Sequence, residues 1–248
     1  MSTLSIFGLV IGGLVILVAL VVLVLNLVWN YQVKQNRISK EELEEFRKTH
    51  PKINLTEEQK RLLTFGAIYA LMHENGRTVI PIEPTIKLED EIEGNQEQWG
   101  VYNSDDAREV LADLLARKRT KTFDKNFDKE PDLIRHQKKI AEKLEIDISE
   151  VKKTTSTYAW DVCRAVNMAR DFYFTNLIPA DEMWEVMRNA VAEAERCGTS
   201  WTDYSVSFLL GRALHGFGMN DIWSCEELLK GKPAKIKDID VYRKYSFK

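Results

Sequence analysis

The sequence predicts an all-α protein, with a single N-terminal transmembrane helix followed by a compact multi-helix cytoplasmic domain. Three observations carry that expectation. Residues 6–28 are a nearly unbroken run of Val, Leu, Ile and Gly without a charge. The rest of the chain is charged and repeats the local signals that start and stop helices. Two later stretches, Tyr158 to Arg170 and Ser200 to Arg212, set Trp and Arg among small apolar residues at helical spacing. Helices of that composition line the inside of a domain, since a solvated helix keeps one face polar. The expected division is a short outer tail at 1–5, a membrane helix at 6–30, a charged juxtamembrane stalk at 31–55, a helical globular domain at 56–229 and a basic tail at 230–248.

The apolar run is long enough to span a bilayer. Some 23 residues at ~1.5 Å each reach roughly 35 Å, against a hydrocarbon core of ~30 Å. A cleaved signal peptide fits poorly: there is no basic stretch before the run, and no small-residue cleavage site precedes Trp29. Residues 1–5 hold no Lys or Arg, whereas Lys34, Arg37 and Lys40 follow the span. The positive-inside bias then puts the amino terminus outside and the body in the cytoplasm. Trp29 and Tyr31 fall where an interfacial aromatic belt belongs. Gly8 and Gly12 have the small-xxx-small spacing through which membrane helices pair, so a homodimer through this helix is one expectation.

Composition narrows the function classes. A net charge of −3 gives no basic face for nucleic acid. Cys163, Cys197 and Cys225 form no CxxC pair, which suits a reducing compartment. His50, His73, His136 and His215 lack metal-ligand spacing, and no glycine-rich phosphate loop appears. No cofactor or metal is therefore expected. Asp124, Asn126 and Asp128 copy the first positions of a calcium loop, but Lys129 and Arg135 stand where that loop needs Gly and Glu.

Along the domain, Ser39 and Thr56 open capping boxes with Glu42 and Gln59. The helix after Thr56 carries an apolar face from Leu62 to Met72 and stops at Asn75-Gly76. Two prolines make residues 79–84 an extended crossing segment. Ser104 is read as the cap of the next helix, which Lys118 to Lys121 close with charge of the favourable sign. A long central helix is expected from about Ser149 until Thr175 to Pro179 break it. Another helix follows from Asp181 to Cys197, and a third from the Ser200 cap to Leu214, ended by Gly216 and Gly218. The tail from Lys230 shows no apolar period and is expected to be loosely held.

The pattern Trp160-Asp161-x-x-Arg164 with Ala169-Arg170, then Ile178, Glu182, Ser200-Trp201 and Gly211-Arg212, resembles the bacterial domain of unknown function numbered 1266. Leu63 to Gly76 and Trp99-Gly-Val-Tyr resemble its beginning, so the resemblance runs over roughly residues 60–220. The resemblance implies a bacterial helical domain, which puts the expected span in a bacterial inner membrane, and it supplies no catalytic residue.

The polar residues within those helices are the candidate site: Trp160, Asp161, Arg164, Arg170, Trp201 and Arg212. Asp161 and Arg164 share a helix face, as do Trp201, Ser205, Phe208, Arg212 and His215. Were the two helices to pack together, Asp161 could accept from Arg212. This is read either as a structural ion pair or as an anion pocket of Arg164, Arg170 and Arg212. Cys163, His215 and Asp203 can be drawn as a nucleophilic triad, but no local signature supports one and no catalytic residue is assigned. The leading expectation is a membrane-tethered interaction module for a protein partner, regulatory or protective, with a sensor or enzyme for a small anionic ligand as the rival.

Overall fold

Every residue of the helix Tyr158–Phe174 is buried, and the fold is wrapped around it. The computed structural model describes residues 18, 20–24, 36–72, 78–219, 221–231 and 239–248. The chain divides into two units, Met1–Arg37 and Ile38–Lys248. In the first, Val18 and Leu20 to Val24 are helical and each is half exposed. Most of the expected span at 6–30, with Gly8 and Gly12, lies outside the described residues. Among the described residues, no helix is long and apolar enough to cross a membrane.

The second unit is all-helical, with no strand among the described residues. Its order is α1 (Lys40–Thr49), α2 (Glu57–Thr64), α3 (Ala67–Met72), α4 (Leu88–Trp99), α5 (Ser104–Leu115) and α6 (Lys118–Asp124). A short 3-10 turn at Phe127–Lys129 leads to α7 (Leu133–Leu144) and α8 (Ile148–Lys153). Then come α9 (Tyr158–Phe174), α10 (Ala180–Cys197), α11 (Trp201–Leu214), α12 (Ile222–Lys230) and α13 (Val241–Lys244).

Helix α9 is enclosed by α3, α5, α6, α10 and α11. Helix α10 turns one stripe onto it (Met183, Trp184, Val186, Met187, Ala190, Val191 and Ala194), a three-to-four residue recurrence that keeps its other side wet. Each large side chain so buried contributes about 1.5–3 kcal/mol. Helix α11 approaches more closely because Gly211 has no side chain. A Cβ there would stand 2.5 Å from Trp160 Cβ and 3.3 Å from Thr157 Cβ.

Several expectations are corrected here. The central helix does not start near Ser149: α8 ends at Lys153, and a four-residue break precedes α9. The break is held by carboxylates, because Asp203 accepts from Thr154 Oγ1 at 2.6 Å and Asp124 from Thr157 N at 2.7 Å. The run from Leu62 to Met72 is two helices. Buried Asn167 donates to the Gly66 carbonyl at 2.8 Å, and only glycine fits there, since a Cβ would meet that amide nitrogen at 2.8 Å. Asn103, not Ser104, caps α5, its Oδ1 accepting from the Asp105 and Asp106 amides. Lys118 to Lys121 open α6 and do not close α5, because Arg117 turns the chain in the left-handed region at φ 55°. Helix α4 was not expected, and Gly100 ends it at φ 66°.

The stalk and the tail differ as well. Phe46 of α1 is buried, stacked on His50 at 4.2 Å and edge-on to Phe174. His50 Nε2 donates to the Tyr173 carbonyl at 3.0 Å, so α1 belongs to the domain and is not a solvated spacer. In the tail, Tyr242 stacks on Trp201 at 4.1 Å, and Phe247 is buried between Phe65 and Trp201. Arg61 donates to the Ser246 carbonyl at 2.9 Å. Sparse but large aromatic groups thus anchor a segment whose sequence has no helical period. The Asn75-Gly76 stop lies outside the described residues.

Candidate functional site

The first two turns of α9 carry Trp160, Asp161 and Arg164. Asp161 is 1% exposed, and its Oδ2 accepts from the Thr120 amide at 3.2 Å and the Thr120 hydroxyl at 2.9 Å. It thereby caps α6, whose own N-cap residue, Arg117, supplies no side-chain acceptor. Its other oxygen is ion-paired with Arg164. Arg164 Nε donates to the Trp160 carbonyl at 3.1 Å, and the guanidinium carbon lies 4.4 Å from the Trp160 ring centre and 5.5 Å from that of Trp99. Burial pulls the Arg164 pKa below its ordinary value, and Asp161 opposes that shift.

The last turn of α11 supplies the second cation. Arg212 Cζ lies 5.8 Å from the centre of the same Trp160 ring and 5.9 Å from that of Phe217. Its carboxylate partner is Asp221, with Nη2 and Oδ2 2.6 Å apart. The contact is an ion pair without a directed hydrogen bond, because that oxygen and the buried Arg212 Nε both lack a hydrogen-bond partner. The expected Asp161–Arg212 pair therefore does not form. The Trp160 ring lies against both guanidinium groups, and Arg164 pairs with Asp161 while Arg212 pairs with Asp221.

Glycines end α11 at Gly216 (φ 85°) and Gly218 (φ 70°), with Phe217 N–H donating back to the Arg212 carbonyl at 3.1 Å. This Schellman closure presents the Phe217 ring, 55% exposed, within 5.7 Å of Trp160. His215 packs on Phe123 at 4.1 Å. Burial, with Arg164 adding to it, pushes the His215 pKa down to about 4 from 6.5. The unfolded chain takes up that proton first. The His215 contribution to stability is therefore full above pH 6.5 and is lost as pH falls toward about 4, where it levels off. Urea melts across that window should show a shallower acid loss for His215→Gln than for the native chain.

Together these groups enclose a cleft of about 600 Å³ lined by Tyr69, Met72, Gln98, Trp99, Arg119, Trp160, Arg164, Arg212, Phe217 and Asp221. Its size suits a drug-sized molecule. The lining has three arginines against one carboxylate, and exposed Arg119 at the rim has no ion pair among the described residues. Trp160 Nε1 is buried there without an acceptor. An aromatic wall with surplus guanidinium donors can hold an anion and a flat ring at once.

Of the six residues singled out from the sequence, Trp160, Arg164 and Arg212 line this cleft and Asp161 stands behind it. Arg170 and Trp201 do not line it. Arg170 donates to the carbonyls of Thr78, Val79 and Pro81 at 3.0–3.2 Å, fixing the crossing segment over α9. Trp201 Nε1 donates to the Tyr245 carbonyl at 2.8 Å and secures the tail. Sequence reasoning missed Tyr69, Met72, Gln98, Trp99, Arg119, Phe217 and Asp221 as site residues. No periodic signal links them, since they come from four separate segments.

The triad drawn from Cys163, His215 and Asp203 is not assembled. Cys163 is sealed in the core with its thiol pushed up to about 12 by burial. Asp203 accepts from Tyr158 Oη at 3.0 Å and from Thr154, while His215 faces Phe123 and Trp160. Asp124 of the calcium-like loop is committed to Arg117, Ser156 and Thr157. Among the described residues, no group of three or more His, Cys, Asp or Glu is placed to hold a metal.

A family model described as "Protein of unknown function (DUF1266)" matches residues 96–236, more than half of the chain. The chain belongs to this family. The DUF1266 segment starts later than the resemblance suggested and leaves α1 to α3 outside it. It contains Gln98, Trp99, Arg119, Trp160, Arg164, Arg212, Phe217 and Asp221, while Tyr69 and Met72 come from the preceding helices. No curated protein and no solved structure matches the chain.

Proposed function

We propose that the domain holds a small anionic ligand in the Trp160–Arg212 cleft, and that residues 6–30 tether it to a membrane. The observation that carries the ligand reading is the cleft itself, in which arginine donors outnumber carboxylates beside an aromatic wall. Beside that wall, Trp160 Nε1 and Arg212 Nε are buried without an acceptor among the described residues. The tether is supported by the charge-free run at 6–28 and by the helical, half-exposed residues Leu20 to Val24. The flanking charges favour an N-outside orientation in a bacterial inner membrane, and Gly8 with Gly12 favours pairing of two such helices.

The test is a melting comparison of the full chain in mild detergent, native against Arg212→Ala, with a panel of nucleotides, phosphorylated metabolites and aromatic carboxylates. A panel compound should raise the native melting temperature and leave the folded variant unmoved. If no compound shifts the native chain, the ligand reading falls. The protein-interaction module, which a tether also serves by concentrating it at the bilayer, then takes its place, to be tested by cross-linking at the membrane.

A further inference from the structure

Arginine recognises a carboxylate or phosphate best along one edge, where Nε–H and Nη2–H point the same way and engage two oxygens together. This chain contains that arrangement in full elsewhere. Arg108 on α5 donates from Nε to Glu182 Oε1 at 2.9 Å and from Nη2 to Glu182 Oε2 at 3.0 Å. Arg212 presents the same edge in the cleft, but only half of it is used. Asp221 meets Nη2 at 2.6 Å, off the line of a directed bond, and Nε is buried with no acceptor. A buried guanidinium N–H left without an acceptor is costly, so this edge is built for a better partner than the one it has.

The surroundings say what that partner carries. Phe217 lies 5.9 Å from the Arg212 guanidinium carbon, and Tyr69 and Trp99 complete an aromatic wall. Arg119 leaves positive charge at the rim. Resting on the ligand reading above, we infer that the cleft takes a flat unsaturated ring bearing a carboxylate or phosphate, and that this group displaces Asp221 to occupy the Nε and Nη2 edge of Arg212. Asp221 is thus an internal stand-in for the ligand's anion. It keeps Arg212 charge-balanced while the cleft is empty, and it sets the threshold an incoming anion must exceed. Neutral rings lack the group that can displace it. Bare phosphate lacks the ring.

The test is calorimetric titration of the full chain in mild detergent with phenyl phosphate and benzoate, against phenol and inorganic phosphate as the separate halves. Asp221→Asn removes the competing charge while keeping its size, and it should tighten phenyl phosphate or benzoate by about tenfold with phenol unchanged. Arg212→Lys keeps a cation beside Asp221 but loses the planar edge, and should weaken the same probe by about tenfold or more. The response of phenyl phosphate relative to benzoate separates a phosphate-bearing from a carboxylate-bearing ligand. If both probes bind Asp221→Asn no more tightly than the native chain, or if Arg212→Lys binds as well as native, the inference is overturned. Protection of the native chain by any compound of the melting panel would leave the broader reading standing in that case. If no panel compound protects the native chain, both fall together.

Discussion

Replacing Asp161 with alanine is expected to destabilise the domain by about 3–5 kcal/mol, the usual cost of stranding a buried partner charge. For a domain of this size that is roughly a 10 °C loss in melting temperature. Two things fail at once. Arg164, 5% exposed, is left without its counter-charge, and α6 loses the acceptor for the Thr120 amide that begins it. Urea denaturation of the full chain measures the loss, and a change under about 1 kcal/mol would contradict this account. The double variant Asp161→Asn with Arg164→Met removes both charges and keeps an acceptor near α6. It should recover much of the stability, because burying an ion pair is weakly favourable at best whereas breaking one is costly.

Arg117→Ala is the second large effect. Arg117 is 4% exposed and joins three parts of the chain. It pairs with Asp124 at the end of α6, with Glu193 of α10 at 3.3 Å, and with Ser156 of the break before α9 at 3.1 Å. Its Nη1 also donates to Cys197 Sγ at 2.9 Å. Losing all of these should again cost about 3–5 kcal/mol. A comparison with Arg117→Gly isolates the backbone. At φ 55° any residue with a Cβ is strained, so the glycine variant should be about 1 kcal/mol more stable than the alanine variant. Equal losses would mean that the left-handed turn carries no strain.

Much of the fold could be read in advance wherever the information was local. The capping boxes at Ser39 and Thr56 form with both reciprocal bonds, and Ser200 caps α11 by accepting from the Asp203 amide. The apolar stripe of α10 and the glycines after α11 also follow from sequence periodicity and φ preferences. What escaped was set by distant groups. Asp161 acts as the cap of another helix, Asn167 splits a continuous apolar run at Gly66, and Asp124 serves α9 from the end of α6. A carboxylate that caps at long range looks, in sequence, like any charge on a helix.

The same limit applies to the site. Trp160, Arg164 and Arg212 were legible because large polar groups among small apolar ones are incongruous. Asp221 carried no such mark and emerges only as the partner of Arg212. Arg170 and Trp201 carried the mark without lining the cleft, since buried backbone carbonyls at 78–81 and at Tyr245 require donors too.

Helix α9 has no outward face, and this bears on how the sequence can change over time. On a half-buried helix, drift is absorbed by the wet positions, while the packed stripe resists it. Here all 17 residues are buried, Trp160 and Arg164 along the wall of the cleft. A change of a single methylene is registered wherever it falls. Kinship in such a protein is written most durably in its middle, and the outer helices are free to lose the resemblance first.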